Sequence, residues 1–187
     1  MNNVNFIVSG LERSGTSMMM QMLDRGGVRT AFDNSRAADA HNPRGYYELA
    51  GGKIINRLIE GNFDFQAYQG QVVKVTAYGL KFLPAGPQYR IVYMTRNLEE
   101  ILKSMEKMSA KIDWTKDRTL FGKLNKFSLD LMESRKDIDY TIIEYRDVID
   151  NSREAAERVA VFFDVPLDID RATQAVDAKL YRNRASL

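Results

Sequence analysis

The run Phe6-Ile-Val-Ser-Gly-Leu-Glu-Arg-Ser-Gly-Thr-Ser17 limits the possible folds of this chain more than any other stretch. A short apolar segment, residues 4–9, enters a loop bounded by Gly10 and Gly15, and a Met-rich segment with Met18, Met19, Met22 and Leu23 follows. Strand, glycine-bounded loop and helix in that order build an anion cradle, because loop N–H groups and the positive end of the helix converge on one point. The spacing Gly10-x4-Gly15 is that of a nucleotide-binding P-loop, but Thr16 stands where such a loop carries Lys. The cation has moved inside the loop as Arg13, and two hydroxyls, Thr16 and Ser17, follow the second glycine. A loop of this kind suits a single phosphate better than a triphosphate with its metal ion.

The rest of the chain alternates between two periods. Residues 4–9, 28–32, 71–76, 90–95 and 140–145 are short and rich in β-branched residues, the signature of buried strands. Residues 16–26, 47–60, 98–108, 120–135, 151–163 and 168–180 carry helical spacing. In residues 120–135 the stripe Leu124, Phe127, Leu131 and Met132 is expected to face the core, and residues 109–118 read as a polar lid or loop around Trp114. Asn151 and Glu154 form a capping box for the helix that follows. Such alternation predicts an α/β fold: three layers, α/β/α, around a mostly parallel sheet of about five strands with P-loop-like topology. At 187 residues, 44% of them hydrophobic, the chain reads as one domain spanning 1–187. Ligands of such sheets sit at the carboxyl ends of strands, where both the loop 10–17 and Arg96 fall.

Composition narrows the chemistry. With 27 basic and 25 acidic residues, the formal charge of +2 predicts no nucleic-acid surface. The absence of Cys excludes disulfides, thiol nucleophiles and cysteine metal sites, and one His leaves little for a zinc centre. The chain passes directly into its first strand, and no apolar run approaches the roughly 18 residues of a membrane span, so a cytoplasmic protein with no membrane span is expected.

A second stretch extends the reading. Arg96 closes the strand Arg90-Ile-Val-Tyr-Met-Thr95, and Ser104 stands eight residues beyond it. Taken with Arg13-Ser-Gly-Thr-Ser17, this resembles the sulfotransferases that use 3′-phosphoadenosine 5′-phosphosulfate (PAPS). In that family a loop of the form Lys/Arg-Ser-Gly-Thr-Thr/Ser binds the 5′-phosphosulfate, and an Arg at a later strand end with a Ser eight residues on binds the 3′-phosphate. The resemblance assigns Arg13, Ser14, Gly15, Thr16 and Ser17 to the first group and Arg96 and Ser104 to the second. It continues through Ile143-Glu-Tyr-Arg-Asp-Val148 and Ala160-Val-Phe-Phe-Asp-Val-Pro166, and departs where Asn97-Leu98 replaces the family's usual Asp-Pro.

The resemblance implies PAPS as co-substrate, adenosine 3′,5′-bisphosphate as product, no metal, and a small-molecule or glycan hydroxyl as acceptor. Sulfuryl transfer needs a group to stabilise the charge growing on the leaving bisphosphate, assigned to Arg13, and a base for the hydroxyl proton. Glu48 and His41 are the candidate bases, Glu48 being preferred as a residue opening the expected helix 47–60. Lys74 lies in an apolar strand, which calls for a paired acid or an anionic ligand. Arg182 and Arg184 form a basic tail. Two alternatives remain open on the sequence: a nucleotide or small-molecule kinase with an altered P-loop, and a non-catalytic nucleotide-binding domain.

Overall fold

The structure is a computed structural model and describes residues 4–33, 35–39, 42–43, 45–108 and 111–177. Its centre is β1 (Val4–Gly10), paired throughout its length with β4 (Gln88–Thr95) on one side and with β3 (Val72–Lys74) on the other. β2 (Thr30–Ala31) and β5 (Ile138–Glu144) complete a five-stranded sheet of order β2-β3-β1-β4-β5, with every pairing parallel.

Period-two alternation divides the strands between two cores. Ile7, Val73, Ile91 and Tyr93 face one layer, with Ile54, Leu58, Ile101 and Met132. Val8, Val72, Val92 and Met94 face the other, with Met19, Met20, Leu23, Val159 and Phe163. Because both faces are buried, these strands are mostly apolar rather than alternately polar. The first layer holds α2 (Ile54–Ile59), α3 (Leu98–Glu106) and α4 (Trp114–Ser134); the second holds α1 (Thr16–Arg25), α5 (Tyr145–Asp150), α6 (Ser152–Phe163) and α7 (Ile169–Thr173). The helices that follow β1 and β4 therefore leave adjacent strands toward opposite faces, and this switch point opens a crevice at the strand ends.

Local chemistry sets the helix boundaries. At the end of α1, Val28 N–H reaches Leu23 O (2.9 Å) and Gly27 N–H reaches Asp24 O (3.0 Å), with Gly27 at φ 89, a Schellman ending. Asn97 stands before α3 and accepts from Glu99 N–H (2.9 Å), so the Asn-Leu step starts a helix by side-chain capping. Asn151 caps α6, and its amide also donates to Glu154 Oε2 at 2.7 Å.

Four expectations are corrected. Residues 47–60 do not form one helix: α2 covers only Ile54–Ile59, after a 3-10 turn at Ala50–Gly52, and Tyr47, Ala50, Gly51 and Gly52 have φ of 53, 52, 62 and 85. The adjacent glycines favour that left-handed path, and Asp33 Oδ2 secures it by accepting from Ala50 N–H at 2.7 Å. Phe127 is 46% exposed; the buried positions of α4 are Ser128 and Met132, with the Ser128 hydroxyl bonded to Leu124 O (2.9 Å). Trp114 opens α4 behind its Asp113 cap rather than sitting in a loop. At the other end, α7 stops at Thr173, and residues 178–180 of the expected last helix lie outside the described residues. Among the described residues no helix is long and apolar enough to cross a membrane.

Candidate functional site

The glycines of the loop after β1 are placed by contact as well as by conformation. A Cβ on Gly10 would lie 2.4 Å from Met94 O, and one on Gly15 would lie 2.4 Å from Tyr145 Cδ2. Between them Ser14 N–H closes a turn on Leu11 O (3.1 Å), and Arg13 takes φ 66, a left-handed conformation unusual for a residue with a side chain. Gly15 is the N-cap of α1 and gives it no side-chain cap, so the first-turn N–H groups face the loop without intrahelical partners. The Ser14 hydroxyl is fully buried and, among the described residues, has no hydrogen-bond partner. A buried polar group left so costs about 1–3 kcal/mol. An uncapped helix start and a cradle that a Cβ would fill together fit an anionic oxygen ligand.

The end of β4 meets this loop. Arg96 Nη1 donates to Arg13 O (3.1 Å), its Nε donates to Glu100 Oε2 (3.0 Å), and its guanidinium lies 4.2 Å from the centre of the Tyr145 ring. Ser104, one face of α3 further along, accepts from Arg13 Nε at 2.9 Å. Arg13 thus forms one cluster around the loop with Arg96 and Ser104, which lie 83 and 91 residues further along the chain. Burial lowers the proton affinity of Arg13, Tyr46 opposing it and Arg96 adding to it.

A third cluster stands at the end of β3. Lys74 Nζ, 6% exposed as a residue, donates to Tyr46 O (2.7 Å), Glu48 Oε1 (2.9 Å) and Ser17 Oγ (3.0 Å). Glu48 Oε2 accepts from Arg36 Nη1 at 3.0 Å, so one carboxylate bridges two cations. Burial pulls the Lys74 pKa down and Glu48 beside it pulls it up, the net being downward. Burial also pushes the Tyr46 phenol up, helped by its hydrogen bond to Asp39 Oδ2 (2.7 Å). The acid that pairs with Lys74 is Glu48 and not one at a strand end. Glu48 itself lies six residues before α2, and the two cations hold it in place where a helix start was expected to do so.

The three clusters line one cavity of about 330 Å³, with Arg13, Thr16, Ser17, Glu48, Lys74, Arg96 and Ser104 among its walls. Ser14 lies beneath that surface. His41, Arg182 and Arg184 fall outside the described residues. Sequence reasoning did not single out Tyr145, Tyr46, Glu100 or Arg36 as site residues. For Glu100 the signal was its spacing from Arg96, one helical turn. Among the described residues no group of three or more His, Cys, Asp or Glu side chains stands close enough together to hold a metal ion.

A family model described as a sulfotransferase domain matches residues 4–184. Among solved structures the chain is similar to the sulfotransferase domain of the Synechococcus PCC 7002 olefin synthase, at 13% identity and TM-score 0.58 over 98% of this chain and 81% of that one. It is similar to the sulfotransferase domain from the curacin biosynthetic pathway at 12% identity and TM-score 0.56, covering 95% and 79% of the two chains. It is also similar to mouse sulfotransferase SULT7A1, solved in complex with PAP, at 12% identity and TM-score 0.59, covering 100% and 68%. Identities this low establish a shared fold. No curated protein matches the chain in sequence.

Proposed function

The chain belongs to the sulfotransferase family, and from that premise we propose that it moves a sulfuryl group from PAPS to the hydroxyl of a small-molecule or glycan acceptor, residues 1–187 acting as one domain. The observation that carries this reading is the meeting of Arg13 with Ser104 (2.9 Å) and of Arg96 with the Arg13 carbonyl (3.1 Å). A donor with anions on both its 5′ and 3′ positions needs two cationic sites at a fixed separation, and a loop joined to a second strand end supplies them. A triphosphate would leave the second site unused.

In this reading Arg13, Ser14, Gly15, Thr16 and Ser17 hold the 5′-phosphosulfate, while Arg96 and Ser104 hold the 3′-phosphate by charge-assisted hydrogen bonds. Arg13 reaches toward the second group from the first, so it serves both. Lys74, between Ser17 and Glu48, adds a buried cation where charge grows on the bridging oxygen. The acceptor oxygen attacks sulfur, the bond from sulfur to the 5′-phosphate oxygen breaks with its electron pair staying on the bisphosphate, and the hydroxyl proton passes to Glu48. Each Glu48 oxygen accepts from one cation and keeps lone-pair capacity for that proton. His41 is the other candidate base.

Calorimetry with adenosine 3′,5′-bisphosphate against ATP plus Mg²⁺ tests the donor. Tight binding of the bisphosphate is expected; ATP binding with no response to the bisphosphate would favour the kinase reading and overturn this one. For the base, Glu48→Gln is expected to retain bisphosphate binding and lose PAPS turnover, and full turnover would move the role to His41.

A further inference from the structure

Resting on the sulfotransferase reading and deepening it, we propose that Arg36 binds an acidic group of the acceptor: a carboxylate, sulfate ester or phosphate ester carried by the same molecule as the reacting hydroxyl.

One cavity holds the donor-loop cations and, beside the Lys74–Glu48 pair, Arg36, Tyr46, Gly51, Gly52 and Ile55. Arg36 and Tyr46 are near enough to Arg13 for their charges to act on it, so this wall adjoins the donor loop. Arg36 lies over the Tyr46 ring, 3.5 Å from its centre, and that ring is fixed by Tyr46 OH donating to Asp39 Oδ2 at 2.7 Å. A guanidinium held against a ring keeps its position, and its planar fork of N–H groups can receive a carboxylate, sulfate or phosphate through two parallel hydrogen bonds. Among the described residues Arg36 donates Nη1 to Glu48 Oε2 and also hydrogen-bonds the Tyr46 side chain, which leaves N–H groups of its five for a ligand. Its side chain is 38% exposed and lines the cavity.

Two further points favour a ligand role over a purely structural one. In its pair with Glu48 the Arg36 side chain is 38% exposed and the carboxylate 12%, and a pair with one exposed member contributes modestly to folding, so holding Glu48 does not account for Arg36 alone. An acidic acceptor would also be repelled by the anionic donor beside it, and a cation outside the donor loop offsets that repulsion. The floor beside Glu48 supports access. Gly51 and Gly52 carry no side chains, and a Cβ on Gly52 would lie 2.8 Å from Glu48 Oε2, so the path to the carboxylate is kept clear by glycine. An acceptor anchored by its anion at Arg36 would bring a nearby hydroxyl past Gly52 to Glu48.

The test uses the whole chain saturated with adenosine 3′,5′-bisphosphate, and four phenols that differ only in the group opposite the hydroxyl: 4-hydroxybenzoate, 4-hydroxyphenyl sulfate, 4-hydroxyphenyl phosphate and neutral 4-hydroxybenzamide. Ligand-observed NMR gives the affinities for the unmodified protein, Arg36→Met and Arg36→Lys. At least one anion is expected to bind about tenfold or more tightly than the amide, with the preference lost in Arg36→Met and partly kept in Arg36→Lys. The anion that binds best identifies the acidic group. Equal affinity for all four probes, no binding included, overturns the proposal, as does a preference that survives in Arg36→Met. Bisphosphate binding measured in the same samples separates the two readings. A bound bisphosphate without anion preference sinks the Arg36 assignment alone, whereas an Arg36-dependent preference without bisphosphate binding sinks the donor assignment and leaves the anion site standing.

Discussion

Lys74 shows how a single residue can be costly to the fold and useful to the site. An ammonium buried inside a sheet is tolerated only when its donors are satisfied, and here a carbonyl, a carboxylate and a hydroxyl accept all three. The same three contacts tie β3 to α1 and to the segment that carries Glu48. Its position in an apolar strand was the sequence signal; its partner was not legible, because Glu48 is brought to it by four left-handed residues rather than by a helix. Tyr93 provides a residue-scale test of burial. Its phenol is fully buried, donates to Asn125 Oδ1 at 2.9 Å, and is pushed up to about 12 by desolvation. A group raised in the folded state stabilises the fold fully below its unfolded value, near 10, and loses that contribution as pH rises through its folded value. Urea denaturation is therefore expected to show stability falling between pH 10 and 12, by roughly 2–3 kcal/mol from this group. Tyr93→Phe is expected to flatten that part of the decline, and an unchanged slope would assign it to other tyrosines.

At the scale of elements, the strand-loop-helix unit from β1 to α1 was legible because its constraints are local: a buried strand pattern, two glycines and a Met-rich stripe. The Schellman ending at Gly26-Gly27 and the Asn151 cap were legible for the same reason. What failed depended on tertiary partners. The apolar spacing of residues 47–60 suggested one helix, but Asp33 captures the Ala50 N–H and the glycines turn the chain aside. Phe127 had the right spacing for the core of α4, yet the neighbouring Ser128 occupies the buried position because its hydroxyl bonds to Leu124 O and Ala77 O. The two ends of α1 yield a contrast between two glycines that share a left-handed φ. Gly27 (φ 89) has nothing within 4 Å of an added Cβ, so Gly27→Ala is expected to cost only the backbone term, about 1–2 kcal/mol. Gly15 (φ 104) would drive its Cβ into Tyr145, so Gly15→Ala is expected to cost more and to abolish bisphosphate binding. Equal stability losses in urea would show that Tyr145 yields freely and that the loop is not held by that contact.

For the whole molecule, the sheet order is what makes the site possible. Five parallel strands and their helical cover were legible from alternation of period, and so was the placement of Arg13 and Arg96 at strand ends. The sequence could not disclose that β1 and β4 are neighbours, and that pairing is why Arg96 reaches the Arg13 carbonyl and Ser104 reaches its guanidinium. A ligand bridging both segments would bind only the assembled sheet, so its binding energy adds to global stability by mass action, about 2.7 kcal/mol at a hundredfold excess over Kd. For a chain of this size that corresponds to a rise in Tm of roughly 5–10 °C. Adenosine 3′,5′-bisphosphate is expected to produce that rise. AMP, which offers the same 5′-phosphate without the 3′-phosphate, is expected to give a clearly smaller one at the same concentration. Arg96→Ala lowers the starting Tm by removing the buried partner of Glu100, so the informative quantity is the ligand-induced shift rather than the baseline. In that variant the bisphosphate shift is expected to fall to the AMP level, reflecting the loss of about 1.5–3 kcal/mol for a hydrogen bond to a charged group. If bisphosphate and AMP shift the unmodified protein equally, the contact between the two strand ends is structural and the second anion site does not exist.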